Sequence, residues 1–384
     1  MTKGVSTGSL VRLALHHGVA GFGGGYSVLA QLRRDLVEKR KWITAEDFLV
    51  LAELSKSLPG TPATSLIALV GQRAAGIRGG IVAATAFLLP SMALMIACGA
   101  AYPLMRKAPG LAPFFDGMGA AMVGVVAATT LDLAKSALKN RWDIVAALAC
   151  AALLSLRIVS EPVLAAGAVA FGLLRATTTA RKKKDEPPHA SERLHSISLL
   201  PILFGMGATA LVGLVRVFAP IGVLTFGGGL AMVPAIEHTV VVEQGWLDKK
   251  TFADAVALGQ LTPGPVAICA TFIGYRVGGA VGALVATIAM FAPAIGVALA
   301  VGHSIERFRK SALVEGALRA LAPAVIGMLA AATVSLGRVS ALHVLGAIIA
   351  IVAFAVLARF RTSPLFALLG GGIIHVAVTF ARGT

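Results

Sequence analysis

Long apolar runs separated by short polar loops dominate the chain. Each run is long enough to cross about 30 Å of hydrocarbon as a helix. The strands of a membrane β-barrel would alternate polar and apolar residues, and these runs show no such alternation. The pattern therefore predicts an all-α polytopic membrane protein. The runs cover residues 80–102, 114–131, 142–158 and 161–175, and then 281–301, 315–333, 341–358 and 363–380.

The same order of motifs occurs twice along the chain. With a shift of 204 positions, GFGGGYSV at 21–28 aligns with TFGGGLAM at 225–232, and the Pro-Gly pair at 59–60 aligns with the pair at 263–264. Beyond this pair the shift becomes 203, which aligns Pro90 with Pro293. An internal duplication explains this match. We expect a first repeat over residues 1–175, a basic cytoplasmic linker over 176–197 and a second repeat over 198–384.

The charge of the chain fits orientation in a bilayer better than binding to nucleic acid. Hydrophobic residues make up 57% of the sequence and charged residues 14%, yet the formal net charge is +16. Most Lys and Arg lie in short loops and in the linker, where they set the orientation of membrane helices. We therefore expect a multi-pass protein of the lipid bilayer that does not bind nucleic acid.

The two repeats are predicted to have inverted topology. Each would contain about five transmembrane helices plus a broken re-entrant hairpin, and an odd number of crossings inverts the second copy. The loop charges agree with this arrangement: RRDLVEKRK in the first repeat is basic, while its equivalent EHTVVVEQGWLDKK is slightly acidic. Equivalent loops of opposite charge are expected on opposite sides of the membrane.

The sequence predicts no metal site and no cofactor. Cys98, Cys150 and Cys269 stand singly in apolar surroundings, without the spacing of metal ligands. A Walker-type phosphate loop is missing from the sequence, so ATP is not expected as the direct energy source. The sequence leaves the oligomeric state open, with a homodimer as one candidate.

Proline and glycine interrupt the apolar sequence at equivalent positions of both repeats, so a continuous helix is not expected there. In a membrane the freed backbone groups must be buried in protein or line a water-filled cavity. Half-helix N-termini near the bilayer midplane then favour an anionic solute. Simple kinks and close glycine packing are the alternative explanation. The backbone predicted to bind the anion comprises Gly23, Gly24, Gly25, Pro59, Gly60, Gly227, Gly228, Gly229, Pro263, Gly264 and Pro265.

Lys56 is a charged residue three positions before the first Pro-Gly break. An ammonium at membrane depth costs at least about 2.5 kcal/mol unless it meets water or a counter-ion. The equivalent residue in the second repeat is Gln260, and we predict that Lys56 and Gln260 both contact the anion. The alternative is a structural ion pair between Lys56 and Glu53 one turn back. Glu53 is also a candidate for proton coupling.

The combination of Phe-Gly-Gly, a later tryptophan and Pro-Gly-Pro resembles the chromate ion transporter family, specifically its long two-domain type. The second half is the closer match, over Thr225 to Ala286. The first half departs from the family pattern, with Thr61 where a proline is usual and Lys56 where a glutamine is usual. The resemblance implies a secondary transporter of the inner membrane that exports chromate, with sulfate as a chemically similar ion.

Export of a dianion from a cell that is negative inside is electrically favourable, by about 4.6 kcal/mol at 100 mV. The membrane potential or a proton gradient is therefore the expected driving force. A sulfate or other oxyanion importer or exchanger remains the alternative, followed by a passive channel. An intramembrane enzyme is not expected, because the sequence shows no cluster of His, Asp, Glu or Cys suited to catalysis near an interface.

Overall fold

The computed structural model describes residues 5–21, 24–108, 110–138, 140–156, 158–159, 164, 167–168, 206–224, 232–302, 312–340, 343–360 and 364–381. The predicted linker and most of the apolar run over 161–175 lie outside the described residues. All regular secondary structure in the described ranges is helical. The prediction of an all-α polytopic membrane protein is therefore confirmed.

The first repeat contains α1 (Thr7–Ala20), α2 (Gly24–Arg33), a π-helical segment (Arg34–Lys39), α3 (Ala45–Ser57), α4 (Pro62–Lys107), α5 (Leu111–Ala137) and α6 (Arg141–Ser155). The second contains α7 (Met206–Leu224), α8 (Val233–Glu237), a π-helical segment (His238–Glu243), α9 (Lys249–Leu261), a 3₁₀ turn (Val266–Ile268), α10 (Cys269–Gly302), α11 (Ala312–Ser340), α12 (Val344–Phe360) and α13 (Pro364–Ala381). By length and apolar composition, α4, α5, α10 and α13 can each cross a membrane.

Equivalent helices of the two repeats begin with equivalent caps. Thr44 accepts a hydrogen bond from the backbone N–H of Asp47 at 3.1 Å, which starts α3. Asp248, its equivalent at a shift of 204, accepts from the N–H groups of Lys250 and Thr251 at 2.9 Å each and starts α9. A side-chain acceptor at this position satisfies amide groups that the helix itself leaves unpaired.

Both α4 and α10 reverse direction at a glycine. The backbone leaves the helical region at Ala75 and Gly76 in α4, and at Gly278 and Gly279 in α10. Gly76 and Gly279 have φ values of 66° and 61°, which glycine adopts without a steric penalty. Each of these long helices therefore consists of two arms, with second arms over 77–107 and 280–302.

The two arms of each helix are antiparallel and packed closely. A Cβ atom added to Gly71 would lie 2.5 Å from the carbonyl oxygen of Gly79, eight residues later. In α10 the hydroxyl oxygens of Thr271 and Thr287 are 2.7 Å apart, although sixteen residues separate them. Such contacts require a hairpin, since a continuous helix would place residues sixteen apart at about 24 Å.

Helices of the two repeats also pack against each other. Gly124 of α5 lies against the backbone of Ala350 in α12, and Gly327 of α11 lies against the backbone of Ala147 in α6. At a shift of 203 these two contacts are equivalent. Small residues allow such close helix packing in a membrane, where dispersion contacts stabilise helix association. The repeats therefore form a shared core.

Candidate functional site

The first Pro-Gly break forms the tip of a helical hairpin. Arg73, near the end of the first arm of α4, donates from Nη1 to Asp47 Oδ1 at 2.9 Å. This contact places the start of α3 beside the end of that arm, so the two helices run antiparallel and meet at residues 58–61. The hydrogen bond from Arg73 also holds the pKa of Asp47 below its usual value. Gly60 at the tip has a φ of 93°.

The second break has the same form. A Cβ atom on Gly259 of α9 would lie 3.0 Å from the carbonyl oxygen of Val266 and 3.3 Å from Cβ of Cys269, which follow the break. Gly264 at the tip has a φ of 109°, a conformation that residues with side chains rarely adopt. The interruptions are thus turns between antiparallel half-helices, and the simple-kink explanation does not describe them.

Each tip contacts the second arm of the opposite repeat. A Cβ atom on Gly60 would lie 2.5 Å from Cβ of Ala294, and one on Gly264 would lie 3.1 Å from Oγ of Ser91. Ser91 and Ala294 are equivalent at a shift of 203, and each lies near the middle of its arm. Each tip therefore lies at about the midpoint of the second arm of the opposite repeat.

The second arms themselves pack antiparallel. Gln72 lies beside the start of the second arm of α4. Its Nε2 donates to the carbonyl oxygen of Leu299, near the end of α10, at 2.7 Å. In the equivalent contact, Gly99 near the end of α4 packs against the ring of Tyr275. The start of one arm thus faces the end of the other, in both directions.

Gly21, at the end of α1 in the first repeat, adjoins the Pro-Gly tip of the second. The backbone N–H of Gly264 donates to the carbonyl oxygen of Gly21 at 2.9 Å. Gly24 and Gly25 follow as the first residues of α2. The predicted residues Gly23, Gly227, Gly228 and Gly229 lie outside the described residues, so only this half of the predicted glycine arrangement is observed. Pro59, Gly60, Pro263, Gly264 and Pro265 are all buried.

Lys56 forms the ion pair that the sequence left open as an alternative. Its Nζ lies 2.9 Å from Glu53 Oε1, and the side chains are 35% and 69% exposed. Gln260, the equivalent of Lys56, is only 7% exposed. Lys56 and Gln260 therefore occupy equivalent positions in the fold but different surroundings.

Asp254 is a buried carboxylate that the sequence analysis did not single out. It lies in α9, is 2% exposed, and accepts hydrogen bonds on Oδ2 from Tyr102 Oη and Arg106 Nη2, both at 2.5 Å. The equivalent position in the first repeat is Val50. Comparing the repeats residue by residue would have marked Asp254, because a charge replaces an apolar residue there.

A second buried acidic contact involves the π-helical segment of the first repeat. His17 of α1 is 3% exposed, and its Nε2 lies 3.2 Å from Asp35 Oδ2. Arg40 Nε lies 3.1 Å from the other carboxylate oxygen. These contacts tie α1 to the segment that follows the glycine-rich turn. They do not extend to Lys56 or to the Pro-Gly tips.

These features define a class: an all-α polytopic membrane protein made from a duplicated unit, each copy with a broken helical hairpin whose tip reaches the opposite copy. The model of the family described as Chromate transporter matches residues 8–173 and 212–376. The chain belongs to this family, which confirms the resemblance noted in the sequence. The family consists of transporters.

Similar proteins support the assignment over most of the chain. The probable chromate transport protein of Synechococcus elongatus is 33% identical over 340 residues, covering 86% of this chain and 84% of that one. The chromate transport protein of Cupriavidus metallidurans is 32% identical over 360 residues, covering 92% and 88%. That of Pseudomonas aeruginosa is 28% identical over 334 residues, covering 85% and 80%. No solved structure matches the chain.

Proposed function

We propose that this chain is a secondary transporter of the cell inner membrane that exports chromate, driven by the membrane potential or by a proton gradient. The observation that carries the proposal is the meeting of the two Pro-Gly tips with Ser91 and Ala294. The backbone at the Pro-Gly breaks has polar groups that need a hydrogen-bond partner. An anion bound near the half-helix N-termini can be that partner. A tetrahedral dianion fits this chemistry.

Inverted topology is part of the proposal. Two second arms that pack antiparallel would cross a bilayer in opposite directions, which supports an axis of pseudo-symmetry in the membrane plane. The first repeat over 1–175 and the second over 198–384 would then expose equivalent surfaces to opposite sides, joined by the cytoplasmic linker over 176–197. Rocking of one repeat against the other would move a central site between the two faces.

The proposed binding site lies between the tips and the glycine-rich turns, with Lys56 and Gln260 as its side-chain contacts. An exposed ion pair such as Lys56–Glu53 contributes about 0.3–0.5 kcal/mol. Breaking this pair therefore costs little, and we propose that chromate replaces Glu53 on Lys56 and that Glu53 takes up a proton when this happens. The backbone part of the site is Gly23, Gly24, Gly25, Pro59, Gly60, Gly227, Gly228, Gly229, Pro263, Gly264 and Pro265.

The test is uptake of radiolabelled chromate into inverted membrane vesicles, with the membrane potential and the pH gradient imposed separately. Export from cells corresponds to uptake into these vesicles. We expect uptake to increase when the vesicle interior is made positive, because a dianion gains about 2.3 kcal/mol per charge per 100 mV. Vesicles without the protein are the control. Absence of protein-dependent uptake under every gradient would overturn the proposal.

Competition with sulfate separates the proposed substrate from its alternative. If unlabelled sulfate blocks chromate uptake only in large excess, chromate is the preferred ion. If sulfate competes at equal concentration and moves inward under the cell's own potential, the protein is a sulfate importer or exchanger.

A further inference from the structure

The carboxylate of Asp254 belongs to a charged cluster that joins the two repeats. Arg106 of α4 bonds both to Asp254 and, from Nη1, to Asp116 Oδ1 of α5 at 3.1 Å. Lys250 of α9 lies 3.0 Å from the same Asp116 oxygen. The cluster therefore connects the C-terminal end of α4 in the first repeat with α9 in the second repeat.

Aromatic rings keep the inner part of this cluster dry, while its outer part reaches solvent. The ring of Tyr102 is 5.2 Å from that of Phe272, edge to face, and Tyr102 is 5% exposed. The side chain of Arg106 is 17% exposed, that of Asp116 34% and that of Lys250 55%. A proton from the aqueous face thus has a short polar route to Asp254.

The cations of the cluster are most nearly neutralised while Asp254 is ionised. Two carboxylates face two cations, and the guanidinium of Arg276 adds a third cation 5.8 Å from the Tyr102 ring centre. His375 of α13 packs against Gly117, the residue that follows Asp116. Once Asp254 carries a proton, Arg106 and Lys250 share Asp116 alone, and their mutual repulsion favours separation of α9 from α4.

We propose that Asp254 is a proton-binding site that holds this face of the transporter closed when ionised and releases it when protonated. The proton comes from water at the face where Lys250 is exposed and binds to a carboxylate oxygen, and Arg106 then keeps only its bond to Asp116. Only the second repeat has this proton-binding site, because Val50 replaces the carboxylate in the first repeat and the equivalent ion pair cannot form there. This inference rests on the proposed alternation of the two repeats, and it does not require chromate.

A distance measurement between spin labels tests the proposal directly. Labels on Cys residues introduced as Leu104→Cys and Lys249→Cys, in full-length protein with Cys98, Cys150 and Cys269 replaced by Ala, report the separation of α4 from α9. Leu104 is 74% exposed and Lys249 is also exposed, so the labels fit. The protein is placed in phospholipid nanodiscs without chromate, at about pH 8 and about pH 5, which bracket the range in which a buried carboxylate gains a proton.

We expect one short distance at the higher pH and a longer distance at the lower pH. Asp254→Asn should give the longer distance at both. Asp132→Asn, which removes an exposed aspartate of α5, is the matched control and should behave as wild type. A pH-dependent distance in Asp254→Asn equal to that of wild type overturns the proposal, as does a wild-type distance that ignores pH.

Tyr102→Phe keeps the test decisive if Asp254→Asn does not fold. It removes one of the two donors that stabilise the ionised carboxylate, so the midpoint of the distance change should move to higher pH. An unchanged midpoint in this variant contradicts the role of Asp254. Because no chromate is present, failure here leaves the vesicle experiment on chromate export unaffected, and failure there leaves this result standing.

Discussion

The backbone N–H of Gly264 donates a hydrogen bond to the carbonyl oxygen of Gly21 at 2.9 Å, which joins the Pro-Gly tip of the second repeat to the end of α1 in the first. The tip can approach so closely because Gly264 has no side chain and a φ of 109°. The proposed site would therefore be formed by both repeats, since neither repeat contains both partners of this contact.

Gly264→Ala should destabilise the protein and reduce chromate flux. A residue with a side chain in such a backbone conformation costs on the order of 1–3 kcal/mol, and the new methyl group would also press on Ser91. Thermal unfolding of the purified protein and vesicle uptake measure the two effects. Gly296→Ala is the control, because a Cβ atom there meets no neighbour within 4 Å. Equal stability of the two variants would show that the tip is not constrained.

Gly274→Ala should destabilise the hairpin of α10. A Cβ atom at Gly274 would meet the backbone oxygen of Gly282 in the antiparallel arm, and overpacking of this kind costs about 1–3 kcal/mol. Gly278→Ala tests the same helix without the clash, since its nearest neighbour is Leu211 Cδ2 at 3.5 Å. The Tm of Gly278→Ala in thermal unfolding should be clearly higher than that of Gly274→Ala. The reverse order would contradict the hairpin.

Lys56→Ala should weaken chromate transport more than Lys56→Gln does. Loss of the ammonium removes a charged contact to the anion, and a tenfold rise in apparent KM corresponds to about 1.4 kcal/mol. Glutamine retains a donor, as Gln260 does in the second repeat. Lys135→Ala, at an exposed position of α5, is the control for loss of one positive charge. Wild-type kinetics in Lys56→Ala would show that Lys56 does not bind the anion and is only a structural partner of Glu53.

Asp47→Asn should have only a small effect on stability. The pair of Asp47 with Arg73 is about one third exposed, and exposed pairs contribute about 0.2–1 kcal/mol. Because the pKa of Asp47 is lowered from 3.8, this contribution is complete above pH 3.8 and is lost as the pH falls through the lower folded-state value. Glu46→Gln removes a neighbouring exposed carboxylate as the control. Thermal unfolding at neutral pH compares them, and a large loss in Asp47→Asn alone would mean that the hairpin depends on this pair.

Local patterns in the sequence were sufficient for the all-α class, the duplication and the positions of the breaks. Long apolar runs and paired prolines act through the backbone of their own segment, so they can be recognised without knowing what packs against them. Pro59-Gly60 and Pro263-Gly264 were found in this way. The reversals at Gly76 and Gly279 were missed, because a glycine just before an apolar run is equally compatible with a continuous helix.

Only the tertiary structure decided which distant residues meet. Asp254 and Arg106 are separated by 148 positions, and a comparison of the repeats can mark Asp254 as unusual but cannot show that Arg106 is its partner. The pairing of each Pro-Gly tip with the opposite repeat was equally hidden, because it depends on how two copies pack and not on the order of residues within either. Sequence thus determined the parts of this transporter, while long-range packing determined how those parts meet.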